Sequence, residues 1–131
     1  MASLLSKIGQ IKPVKKILFA LRKPPHSGAY VQEMLDIIMT VAAFDQEVSI
    51  ILLDNAVFQL KKQQQPELAN LKATAAIYKA LPLFGINDLY TETESLQERG
   101  LNVASLEESV IAIPRAKIGD FFKQFDLVLT G

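Results

Sequence analysis

The chain has 131 residues, half of them hydrophobic, with no cysteine, one histidine, and 14 basic against 14 acidic side chains. That length suits one domain around one core. The lack of cysteine excludes disulfides, thiolate metal sites and cysteine nucleophiles, and the apolar runs fall well short of the roughly 20 residues a helix needs to cross a bilayer.

So small a domain has limited interior, so part of the apolar content is expected at a subunit interface. The charge is uneven. The first 32 residues carry Lys7, Lys12, Lys15, Lys16, Arg22 and Lys23 and no acid, a net +6; the remainder carries −6. A basic arm suits RNA or an acidic partner. Without aromatic residues among the leader lysines, a solvated leader is the simpler expectation. The N-terminus lacks a long apolar stretch followed by a small-residue cleavage site, so a cytoplasmic location is expected.

Residues 1–14 read as a basic extension, with Gly9 and Pro13 interrupting an apolar face, and residues 15–131 as a single domain. Ile17 to Leu21 is a continuous apolar run, the signature of a strand buried on both faces. Arg22-Lys23-Pro24-Pro25-His26-Ser27-Gly28 breaks it. A broadly apolar helix follows from about Ala29 to Phe44, then a tight turn at Asp45-Gln46 and a second strand from Val48 to Leu53. Ala56 to Leu60 suits one helical turn that exposes Phe58. Lys61 to Pro66 reads as a loop, and Glu67 to about Leu81 as a helix with Leu68, Leu71, Ala75 and Tyr78 on one stripe. Asp88 to Glu92 is the third strand. Thr93 is expected to cap a helix from Glu94 to Arg99 that closes at Gly100. Ser109 to Ile113, a helix from Pro114 to Gln124, and Leu127 to Thr130 complete the pattern. Strict alternation predicts an α/β fold, three layers α/β/α, with a five-stranded, mainly parallel sheet.

In such sheets ligands sit at the carboxyl ends of the strands. Arg22 to Gly28 offers two cations and a glycine before a helix, yet matches neither a P-loop nor a dinucleotide fingerprint. His26 has no cysteine to activate and no neighbouring carboxylate, so a surface turn is its expected place. A metal site is poorly supplied, and no serine lies in a nucleophile elbow. Asp54 suits a cap, and Phe58 an interface anchor. Ser95-Leu96-Gln97-Glu98 has the spacing of a capping box. No metal or cofactor is expected.

The stretch RKPPHSGAYVQEMLDIIMTVAAFDQEVSIILLDNAVFQL, with SLQERGL (Ser95 to Leu101) and FDLVLTG (Phe125 to Gly131), resembles the TusC/DsrF branch of the DsrE/DsrF-like proteins. The resemblance covers Lys15 to Gly131. It implies a three-layer α/β/α fold and a place in a heterohexamer beside a cysteine-bearing D/E-type paralogue and a B/H-type paralogue. Such complexes relay persulfide sulfur toward 2-thiolation of the tRNA wobble uridine or, in the Dsr form, serve sulfur oxidation. The relay cysteine of the D/E-type paralogue falls near the end of the strand matching Asp88 to Glu92, where this chain has none. The branch usually carries Asp-Gly before V[FY]QL, whereas this chain has Asn55-Ala56, and alanine tolerates positive φ less well.

The combined expectation is a non-catalytic structural subunit of a sulfur relay for tRNA thiolation. Its interface would draw on Tyr30, Met34, Ile38, Asp54, Val57, Phe58, Gln59 and Leu60. The rivals are a DsrF-like subunit in sulfur oxidation and, in another class, a flavodoxin-like small-ligand enzyme using the Arg22–Gly28 and Asp54–Gln59 loops.

Overall fold

A computed structural model of the chain describes residues 15–25, 29–61 and 76–130. The expected leader, His26, the Lys61 to Pro66 loop beyond Lys61, and the start of the helix expected from Glu67 lie outside the described residues.

The elements are β1 (Lys16–Leu21), α1 (Tyr30–Ala43), β2 (Glu47–Leu52), a 3-10 helix at Asp54–Leu60, α2 (helical over 76–80), a 3-10 helix at Leu81–Phe84, β3 (Leu89–Glu92), α3 (Thr93–Glu98), β4 (Ile111–Ile113), α4 (Arg115–Phe122) and β5 (Leu127–Thr130). The sheet order is β4-β3-β2-β1-β5, and every pairing is parallel. β1 is an interior strand, between β2 and β5, which explains its uninterrupted apolar sequence: Ile17, Leu18, Phe19 and Ala20 are fully buried and each strand face meets a different layer.

That order fixes the layers. Connections β1 to β2, β2 to β3 and β3 to β4 all step the same way, and β4 to β5 steps back across the sheet. Right-handed crossovers then place α1, α2 and α3 on one face and α4 on the other. The packing agrees. Ile17, Phe19, Ile50 and Leu52 pack with Val31, Leu35, Ile38, Tyr78 and Leu96. On the opposite face Leu18, Ala20 and Ile51 pack with Phe121, flanked by Ile118 and Phe122.

α1 buries Val31, Met34, Leu35, Ile37, Ile38 and Val41, at spacings that keep them on one broad face, each burial worth about 1.5–3 kcal/mol. Its chain then reverses through Asp45 at φ 61°, as the sequence suggests. Aspartate tolerates this left-handed conformation because its short polar side chain bonds locally.

Three local expectations change. Thr93 is the first helical residue of α3 rather than its cap; Glu92, still extended, holds that position without a capping side-chain bond. Ser95 forms no capping box: it lies inside α3, and its hydroxyl bonds the Asp54 N–H and the Glu92 carboxylate. The fourth strand is shorter than Ser109 to Ile113 and begins at Ile111.

Gly100 closes α3 as expected, with φ 69° and its N–H bonded to the Gln97 carbonyl at 3.1 Å. A Cβ there would meet nothing within 4 Å, so the penalty for a side chain is purely conformational. Gly100→Ala is expected to lower stability by about 1 kcal/mol in urea denaturation.

Candidate functional site at the carboxyl edge of the sheet

The sheet delivers charged residues to its carboxyl edge: Arg22 after β1, Asp54 and Asn55 after β2, Glu92 at the end of β3, and Arg115 after β4. α3 adds Ser95, Glu98 and Arg99.

Ser95 is the hub. It is fully buried. Its hydroxyl accepts the Asp54 backbone N–H at 2.9 Å and donates to Glu92 Oε1 at 2.6 Å. Asp54 is itself left-handed, at φ 51°, and its carboxylate meets Arg22 Nη1 at 2.6 Å. Asp54 therefore does not cap the helical turn with its side chain; it pairs back to β1. Arg99 Nε donates to Asn55 Oδ1 at 2.9 Å, tying α3 to the same turn.

Arg115 closes the cluster. Its Nη2 lies 2.9 Å from both Glu92 Oε1 and Glu98 Oε1, and its Nη1 3.1 Å from Glu98 Oε2. Its backbone N–H, one of the unpaired donors at the start of α4, is taken by Glu94 Oε1 at 2.9 Å, which satisfies a group the helix cannot satisfy itself. The hydrogen bond from Arg115 pulls the Glu92 carboxyl below its ordinary range, aided by Ser95 and opposed by burial. The same arginine lowers Glu98.

These facts define the chemistry. The Ser95 hydroxyl is buried and faces a carboxylate that Arg115 makes a weak base. Arg22 and Asp54, the leading residues of the two loops expected in a flavodoxin-like enzyme, are bonded to each other. Lys23, the second cation of the first loop, lies with Nζ 4.1 Å above the Tyr30 ring.

The 3-10 helix at Asp54–Leu60 is held by a second buried pair. Tyr78 Oη donates to Gln59 Oε1 at 2.5 Å, and Gln59 Nε2 donates to the Lys23 carbonyl at 2.9 Å. Burial holds the Tyr78 hydroxyl well above the ordinary tyrosine range. Asn55-Ala56 needs no glycine: Ala56 is fully buried, and the left-handed residue of this turn is Asp54.

Of the expected interface residues, Met34, Ile38, Val57, Gln59 and Leu60 are buried within the chain. Tyr30 and Phe58 are half-buried against the core, and Asp54 is partly exposed at its carboxylate. The Tyr30 hydroxyl is buried and has no hydrogen-bond partner among the described residues. Sequence reading gave Glu98 a capping role rather than its pairing with Arg115, and overlooked Arg115 and the pairing of Gln59 with Tyr78. A glutamine inside the apolar run Val57 to Leu60 was the available signal, since a buried amide requires partners.

The DsrE/DsrF-like family model matches residues 15–130. The chain is 36% identical over 116 residues to "Protein TusC homolog" of Pseudomonas aeruginosa, covering 88% of this chain and 98% of that protein. It is 34% identical over 95 residues to "Intracellular sulfur oxidation protein DsrF" of Allochromatium vinosum, covering 72% of this chain and 70% of that one. It is also 36% identical over 88 residues to "Protein TusC" of Buchnera aphidicola, covering 67% and 74% respectively. The crystal structure of the ychN protein from E. coli superposes with a TM-score of 0.71 over 90% of this chain and 100% of that one, at 17% identity, a likeness of fold. The chain belongs to the DsrE/DsrF-like family.

Proposed function

We propose that this chain is a TusC-like, non-catalytic structural subunit of a sulfur-relay complex that supports persulfide sulfur transfer for 2-thiolation of the tRNA wobble uridine. The supporting observation is the carboxyl edge itself. Sulfur relay requires a nucleophilic thiolate, the chain has no cysteine, and Glu92, Ser95, Glu98 and Arg115 fill the end of β3 with their own hydrogen bonds. The similarity to TusC proteins supplies the relay context.

The chain's part is then to position a cysteine carried by a D/E-type paralogue, within a heterohexamer that also holds a B/H-type paralogue. Tyr30, Asp54 and Phe58 form the reachable part of the docking edge, with Met34, Ile38, Val57, Gln59 and Leu60 supporting them from below. Exposed apolar side chains fit a subunit: Leu83 is 88% exposed and Phe44 65%. Among the described residues no helix is long and apolar enough to cross a membrane. A cytoplasmic setting, where tRNA is modified, completes the proposal.

Deletion of the gene is expected to abolish most wobble-position 2-thiouridine, measured by mass spectrometry of digested tRNA, with restoration by the wild-type chain. Unchanged 2-thiouridine would reject the tRNA assignment. The 34% identity to DsrF favours a second reading, service in sulfur oxidation. In that case deletion would instead slow consumption of stored sulfur and leave tRNA untouched.

A further inference from the structure

The amino edge of the sheet, opposite the ion-pair cluster, carries a cleft of about 270 Å³. Its walls include Tyr90, Phe121 and Phe125, with Tyr90 tilted against Phe121 at a ring-centroid distance of 4.6 Å and Phe125 edge-on to Phe121 at 5.1 Å. Glu47, at the start of β2, and Asp88, just before β3, also line it. Both are exposed, and neither forms an ion pair among the described residues. That contrasts with the carboxyl edge, where Asp54, Glu92 and Glu98 all face an arginine. The Asp88 charge reaches Tyr90: together with the larger effect of burial it raises the Tyr90 hydroxyl above its ordinary range. At one side Lys16 lies with Nζ 5.6 Å from the centre of the Phe125 ring, so an aromatic wall of this cleft already receives a cation.

We infer that the cleft seats the guanidinium of an arginine-bearing segment on a protein partner. Aromatic faces attract cations, and the attraction grows where water is partly displaced. Glu47 and Asp88 together outweigh the charge of Lys16 at the same opening, so the lining is net negative, which attracts a cation and repels phosphate or carboxylate ligands. The volume lies just below the usual range of small-molecule pockets, about 300–1,000 Å³, and suits one side chain better than a cofactor. A guanidinium fits better than an ammonium because it stacks flat on a ring while its edge donates to carboxylates. This surface is remote from the carboxyl edge, and the inference does not rest on the sulfur-relay assignment.

The test uses the full-length chain, isotopically labelled for NMR, titrated with acetyl-Gly-Arg-Gly-amide and with its citrulline counterpart, which keeps the shape and loses the charge. Amide signals of Ser49, Asp88 and Tyr90 are expected to move with the arginine peptide, and the citrulline peptide to bind at least about fivefold more weakly. The Glu47→Gln/Asp88→Asn double variant, changed only at exposed positions, should weaken the arginine peptide by a similar factor while the signals of Ser95 and Arg115 stay in place. Equal binding of the two peptides, indifference to the double variant, or shifts confined to other surfaces would overturn the inference. So would binding seen only after residues 1–14 are removed, because the occupant would then be the chain's own lysine-bearing leader.

Discussion

Gln59→Leu is expected to destabilise the fold by roughly 2–3 kcal/mol, read as a lower urea midpoint. The side chain has the right volume for its buried site, so the loss comes from polarity. Tyr78 Oη would lose the acceptor it meets at 2.5 Å, and the Lys23 carbonyl would lose its donor at 2.9 Å. A buried hydroxyl left unpaired keeps its full desolvation penalty, whereas removing both partners of a bond does not. Tyr78→Phe alone should therefore cost about 1–2 kcal/mol, and the double variant less than the sum of the two. Strict additivity would show that Gln59 and Tyr78 do not act as a pair. If that helix is the docking edge, Gln59→Leu should also weaken partner binding, while an exposed control such as Lys79→Ala leaves both unchanged.

Ser95→Ala is expected to cost about 2 kcal/mol, because one hydroxyl serves two elements. The Asp54 N–H loses its acceptor and Glu92 loses a donor. Asp54 also occupies a left-handed conformation that costs most L-residues about 1–2 kcal/mol and aspartate less, and the Ser95 bond helps to hold it there. Acid should expose the same network. The Glu92 carboxyl is lowered from an ordinary value of 4.5, so its contribution is complete above that pH in the folded protein. It is lost as pH falls through the lower folded value. Glu92→Gln, which can still accept from Ser95 and Arg115, should lower stability at neutral pH and flatten its fall on acidification. A variant with the same acid slope as the wild type would remove Glu92 from the account.

Much of the architecture was legible because local sequence determines it. An interior strand buried on both faces must read as an apolar run, as Ile17 to Leu21 does. A helix lying on a sheet must carry a broad stripe, as α1 does, and a left-handed closing residue is best served by glycine, as at Gly100. Strand order was not legible, because the pattern of a strand reveals its burial and not its neighbour. The site failed for a related reason. Ser95 and Glu98 have the spacing of a capping box, and nothing nearby in sequence discloses that β2 brings Asp54 to the serine or that Arg115 reaches Glu92 and Glu98. Long-range hydrogen bonds outcompeted the local motif. The resemblance identified the 54–60 segment as important. The fold assigns most of its side chains to the core, leaving Asn55 exposed and Asp54 and Phe58 half-buried.

The central claim is that the chain takes part in sulfur transfer by positioning another subunit's cysteine rather than by carrying sulfur. Its most direct test is to reconstitute the proposed complex of this chain with a cysteine-bearing paralogue and supply radiolabelled sulfur from a cysteine desulfurase. The subunits are then separated without reductant, and transfer onward is measured with and without this chain. The account predicts label on the paralogue, none on this chain, and a marked drop in onward transfer when the chain is omitted. Label on this chain, or transfer that proceeds equally well in its absence, would contradict it.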